Sequence, residues 1–119
     1  MNLECQDRIR VDCLRILNGR EKVLEPLRQS KLVVVGGTGF VGTWIAEMVA
    51  ALNDEYQFGI KLSLISRSTD QFTTRLPHLA DRADVHLIKS DVRQLGQFPM
   101  DADWVIHAAA NPDVRTHAA

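Results

Sequence analysis

Four glycines fall within seven residues at Gly36-Gly37-Thr38-Gly39-Phe40-Val41-Gly42. They stand directly between the β-branched run Lys31-Leu32-Val33-Val34-Val35 and a helix-spaced apolar series, Val41, Ile45, Met48, Val49 and Leu52. The chemistry such a junction can do is electrostatic. A strand that stops and turns into a helix leaves the first helical N–H groups without partners, at the positive end of the helix dipole, where they attract anions. In the spacing G-x-x-G-x-x-G, Gly36 permits a tight turn at the strand end. Gly39, with no Cβ, lets the backbone approach a diphosphate, and Gly42 lets the helix pack closely on the strand. Gly37 adds conformational freedom rather than a contact. A Walker-type phosphate loop would need Gly-Lys-Ser or Gly-Lys-Thr at its end; Gly42-Thr43 has no lysine, which disfavours a nucleoside triphosphatase. The competing reading is a glycine-rich turn that binds nothing.

Two further positions fit a dinucleotide. The stretch Ile60 to Ser66 reads as a second strand and runs into Ser66-Arg67-Ser68. In dinucleotide-binding folds this strand end approaches the adenosine ribose, where an acid binds the 2′-hydroxyl and an arginine accommodates a 2′-phosphate. No acid occurs before Asp70. The planar fork of Arg67 and the hydroxyls of Ser66 and Ser68 suit a phosphate, so NADP is favoured over NAD; the alternative for Arg67 is a solvated loop residue. After a third strand, Val85 to Lys89, Asp91 stands where a carboxylate can accept a hydrogen bond from an adenine amino group, with Val92 against the ring. An ordinary turn aspartate remains open at that position.

These residues need elements to hold them. Ile9, Cys13, Ile16 and Leu17 mark one face of a helix over Asp7 to Asn18, with Gly19 as its stop. A short helix over Glu21 to Gln29 follows, limited by Pro26. The first strand, Lys31 to Val35, shows no polar alternation, as expected when both faces are covered. "NDEYQFG" reads as a polar break after the glycine helix, Gln71 to Leu79 as a helix interrupted by Pro77, and Trp104 to Ala110 as a fourth strand ending in small residues. Alternating strands and helices predict an α/β fold, a parallel sheet with helices on both faces. The organisation expected is a helical extension over residues 1–30 and a partial nucleotide-binding domain over residues 31–119.

The totals agree. The 119 residues are 45% hydrophobic and 24% charged with net charge −1, so no basic surplus points to nucleic acid or an anionic membrane. The start lacks the apolar core of a signal peptide, and no apolar run reaches the length of a membrane span. Cys5 and Cys13 would lie about 80° apart on a helix; two reduced thiols fit a cytoplasmic protein. His78, His86 and His117 show no metal-ligand spacing, so no metal site is expected. His107, flanked by Val105, Ile106 and Ala108, reads as a hydrogen-bonded core histidine. Trp44 and Trp104 read as packing residues, and Arg8, Arg10, Arg15 and Arg20 as a solvated helix face.

Together, "GGTGFVG" (36–42), "SDV" (90–92) and "WVIHAAANP" (104–112) resemble the extended short-chain dehydrogenase/reductase family, in its nucleotide-sugar epimerase and dehydratase branch. The resemblance implies a Rossmann-type sheet of strand order 3-2-1-4, a nicotinamide cofactor and, in the full-length protein, a nucleotide-sugar substrate. It implies that Gly36, Gly39, Phe40, Val41 and Gly42 line the diphosphate, that Asp91 and Val92 hold the adenine, and that Ala108, Ala109 and Ala110 border the ribose and nicotinamide. The family's catalytic base is the tyrosine of Tyr-x-x-x-Lys. The only tyrosine here, Tyr56, has no lysine four positions on, so no catalytic residue is assigned. The expectation is an amino-terminal fragment, inactive alone, that self-associates through the open edge of strand four. A non-catalytic NADP-sensing module is the alternative.

Overall fold

The computed structural model describes residues 3–36, 38–90 and 101–108. Four parallel strands, β1 (Lys31–Val35), β2 (Lys61–Ser66), β3 (Val85–Lys89) and β4 (Trp104–His107), form one sheet in the order β3-β2-β1-β4. The registers are in step: Val35 stands opposite Ile65 on one side and His107 on the other, and Ile65 stands opposite Ile88. The strands therefore end along one line, and the turns that follow them share one edge of the sheet.

Alternation along the strands sorts the core. Leu32 and Val34 of β1 and Leu62 and Leu64 of β2 point to one face, where they join Ala46, Val49, Ala50, Phe58, Phe72 and Leu79 in the main apolar cluster. Val33, Val35 and Ile65 point to the other face with Ile88 and Ala102. β1 is buried from Leu32 to Val35, as expected of a central strand. β4 is exposed throughout. It lies at the sheet's edge among the described residues, with β1 beside it and no described helix over it.

The helix after β1, α3 (Phe40–Tyr56), carries the longest apolar stripe. Its inner face meets the sheet. Its outer face is covered by α1 (Leu3–Leu17), whose Cys13 and Leu17 are fully buried in the same cluster. Ile16, expected on that face, is half-exposed instead. It sits one residue, or about 100°, before Leu17 around the helix. The short segment after Gly19 is α2 (Glu21–Leu24) followed by a 3₁₀ turn (Glu25–Leu27) that places Pro26 near its start, where a missing N–H costs nothing. Pro77 divides the next helical region into α4 (Asp70–Arg75) and α5 (Pro77–Ala80).

The first four residues of the expected polar break, Asn53 to Tyr56, are helix, and the chain leaves the helix only at Gln57. α3 continues through Asn53 and Asp54 because those polar side chains have partners. The Asn53 amide donates to the Ile60 carbonyl at 2.9 Å and to Asp84 at 2.8 Å, while its oxygen accepts the Ile60 N–H at 2.9 Å. Arg82 donates to Asp54 at 2.8 and 3.0 Å and to Asp84 at 2.9 and 3.0 Å. Arg10 of α1 reaches Asp54 at 3.1 Å, so it ties helices together rather than simply facing solvent. The Arg82 guanidinium is the chief cause holding both the Asp54 and Asp84 carboxyls below their ordinary range. Higher on α3, buried Glu47 meets His78 Nε2 of α5 at 2.7 Å. Burial, then the nearby Glu47 carboxylate, pushes the Cys13 thiol up to about 11, an unreactive thiol at neutral pH.

Candidate dinucleotide site

At the carboxyl end of β1 the ladder makes one more rung: the Gly36 N–H donates to the Ile65 carbonyl at 2.7 Å. Gly36 then takes φ +79°, the left-handed region that glycine enters without a Cβ penalty. This reverses the chain sharply enough for the Gly39 N–H to reach back to the Gly36 carbonyl at 3.3 Å. Gly39 is the N-cap of α3. Its carbonyl receives the Thr43 N–H at 2.9 Å and the Thr43 hydroxyl at 2.7 Å. No side chain caps the first turn. Helix geometry leaves the N–H groups of Phe40, Val41 and Gly42 without intrahelical acceptors.

Gly39 and Gly42 differ in what they answer to. Gly42 is buried in the first turn of α3. Gly39 is at φ −82°, a conformation open to any residue. Among the described residues a Cβ built there would meet the Gly36 carbonyl alone, at 3.6 Å, an ordinary contact. No described neighbour sterically demands glycine at 39, beyond the ordinary N-cap preference for glycine over alanine. The backbone at Gly39 is exposed at this helix end, and a bare, accessible backbone is what a bound diphosphate requires. Phe40 and Val41 beside it are 79% and 53% exposed, so the first turn of α3 is apolar and uncovered.

β2 delivers its end to the same edge. Ser66 closes the strand and Arg67 follows, exposed and without an ion-pair partner among the described residues. The Thr38 hydroxyl lies 2.7 Å from Ser66 Oγ, which approaches the Ser68 carbonyl at 3.2 Å. β4 brings Ala108, whose N–H donates to the Val35 carbonyl at 2.8 Å. Gly36, Gly39, Phe40, Val41, Gly42, Ser66, Arg67 and Ala108 are thus gathered on one sheet edge. Asp91, Val92, Ala109 and Ala110 lie outside the described residues. Thr38 is not legible from sequence, since a hydroxyl in a loop leaves no periodic signature.

Two histidine and tyrosine readings change. His107 is exposed on β4 rather than in the core, because apolar chain neighbours do not cover a strand that no described element overlies. Tyr56 is the last residue of α3, not a loop residue. Seventeen residues of helix put it roughly 24 Å from the glycine turn. Partial loss of solvation, then the Glu21 carboxylate, raises its phenol above the ordinary value, the opposite of what a phenolate base needs. Trp104 is 46% exposed, with its indole N–H 3.4 Å from the Pro26 carbonyl.

A parallel sheet of order 3-2-1-4, with an uncapped glycine turn after its first strand, defines a partial Rossmann-like dinucleotide-binding protein. Residues 32–119 match the NAD dependent epimerase/dehydratase family, and the chain belongs to that family. Membership implies a nicotinamide dinucleotide cofactor. Among curated proteins none matches this chain. No helix among the described residues is long and apolar enough to cross a membrane.

Proposed function

We propose that this chain is the dinucleotide-binding portion of an NAD(P)-dependent nucleotide-sugar epimerase/dehydratase, with NADP preferred. The observation that carries the reading is at Gly39, where the described neighbours would admit a Cβ, set at a helix end that no side chain among the described residues caps. When bound, the cofactor supplies hydride exchange with a sugar carbon. The chain's own residues do the holding. The N–H groups of Phe40, Val41 and Gly42 receive the diphosphate, Arg67 meets a 2′-phosphate, and Ala108 leaves room beside the ribose.

The 119 residues by themselves turn over no sugar in this reading, because Tyr56 is at the wrong end of α3 with its phenol pKa raised. The same observation favours a second reading, a binding module that senses NADP without catalysis. Trp104, Val105 and Ile106 leave β4 exposed, and its outer edge carries no strand among the described residues. We read that edge as a self-association surface.

Titration of the chain with NADPH and NADH by calorimetry tests the cofactor reading. Saturable binding with NADPH at least tenfold the tighter is expected; binding of neither at millimolar concentration overturns it. Sedimentation of the same chain is expected to show a dimer. Monomer alone at about 100 μM, a concentration at which even weak edge pairing shows, rejects the edge surface.

A further inference from the structure

We propose that Thr38 is a positioning residue for cofactor selection: its hydroxyl latches the glycine turn to the Ser66–Ser68 turn and so sets where Arg67 stands relative to the diphosphate cradle. This rests on the reading of the β2 end as the NADP-selecting edge.

Among the described residues the backbone ladder joins the two turns as far as the Gly36 N–H and the Ile65 carbonyl. Past that rung the chains part, one reversing through Gly36 and the other bending at Ser66. Side-chain hydroxyls take over the connection. Thr38 Oγ1 is 2.7 Å from Ser66 Oγ and 3.4 Å from the Ser68 carbonyl. Ser66 Oγ is 3.2 Å from the Ser68 carbonyl and accepts the Ser68 N–H at 3.3 Å. The last pair is the local turn that a serine makes with the backbone two residues on. Arg67 stands at the apex of that turn, between two residues that are both tied down.

A hydroxyl has one proton to give. With Ser66 donating to the Ser68 carbonyl, Ser66 Oγ is left to accept, and Thr38 is the group that donates to it. Both protons are then committed inside the protein. Neither Thr38 nor Ser66 can donate to a phosphate while the latch is closed, so their part is to place Arg67 rather than to hold the phosphate. An arginine on a turn with this cross-link loses less freedom on meeting a phosphate than one on an untethered turn.

The test measures dissociation constants for NADPH and NADH with the wild-type chain, Thr38→Val, Thr38→Ser, Arg67→Ala and the Thr38→Val/Arg67→Ala double variant. Valine keeps the shape and removes the donor; serine keeps the donor. Thr38→Val is expected to weaken NADPH about five- to tenfold, the worth of one hydrogen bond, and to leave NADH within twofold. Thr38→Ser should restore NADPH to within twofold, and the double variant should bind NADPH no more weakly than Arg67→Ala. Equal losses for NADPH and NADH, or failure of serine to rescue, overturn the latch. If the wild-type chain does not prefer NADPH, the cofactor reading falls by itself. Amide hydrogen exchange at Ser68 without ligand then decides the latch: faster exchange in Thr38→Val but not Thr38→Ser supports it, and unchanged exchange overturns it.

Discussion

The two ends of the sheet are built on different terms. Where the strands begin, Arg10, Asn53, Asp54, Arg82 and Asp84 satisfy one another across α1, α3 and the turn into β3. Where the strands finish, α3 starts with no side-chain cap, Phe40 and Val41 are uncovered, and Arg67 has no ion-pair partner among the described residues. The first end closes its charged groups on one another; at the second the hydroxyls of Thr38 and Ser66 are bonded internally, but the first-turn N–H groups of α3 and the Arg67 guanidinium have no partner among the described residues. Unmet polar groups gathered on one edge are the physical sign of a binding site, since the same groups could have been satisfied internally as they are at the opposite edge.

The sharpest way to separate the ends is Gly39→Ala. The added methyl fits the protein but fills the cradle. NADPH affinity is expected to fall about 100-fold, the loss of one or two charge-assisted hydrogen bonds, while stability falls by no more than about 1 kcal/mol, the ordinary cost of alanine at an N-cap. A comparable loss of stability would show that the glycine serves the fold after all.

The converse change is Arg82→Met, which leaves Asp84 without a cation and Asp54 with Arg10 alone. Chemical denaturation should report about 2 kcal/mol of lost stability, with NADPH affinity of the folded protein within twofold. Movement of both quantities would mean that the ends are coupled through α3.

The smallest effect is acid dependence. Asp54 and Asp84 have folded-state pKa values below the unfolded value of 3.8. The unfolded chain therefore binds more protons in the window below that value, and folding stability falls as pH drops through it. Above that window the stabilisation is fully present. Denaturation midpoints between pH 5 and pH 2.5 should fall in the wild-type chain and fall less in Arg82→Met; parallel curves would remove Arg82 as the cause.

The strands and the glycine turn were legible because their signals are local. β1 and β3 have the bounds their apolar runs indicate, and β2 starts one residue later than its run. The edge that gathers Gly36, Ser66, Arg67 and Ala108 follows from strands that run in parallel and end in step. What could not be read depends on partners distant in the chain. Asn53 and Asp54 looked like a break because their polarity is answered by Asp84 and Arg82, about thirty residues on. Glu47 sits within an apolar stripe because His78 meets it from another helix. His107 has apolar neighbours along the chain and yet faces solvent, for burial belongs to what covers a strand and not to what precedes it.

The helix ahead of the matched family region has a consequence for where this molecule can be divided. Residues 32–119 carry the family signature, but Cys13 and Leu17 lie in one interior with Leu52, Ala51 and Leu64. A cut at the signature's edge would strip the roof from α3 and leave an oily seam along the back of the helix that aims the cradle. The unit that evolution labels and the unit that stays dry inside are not the same stretch of chain.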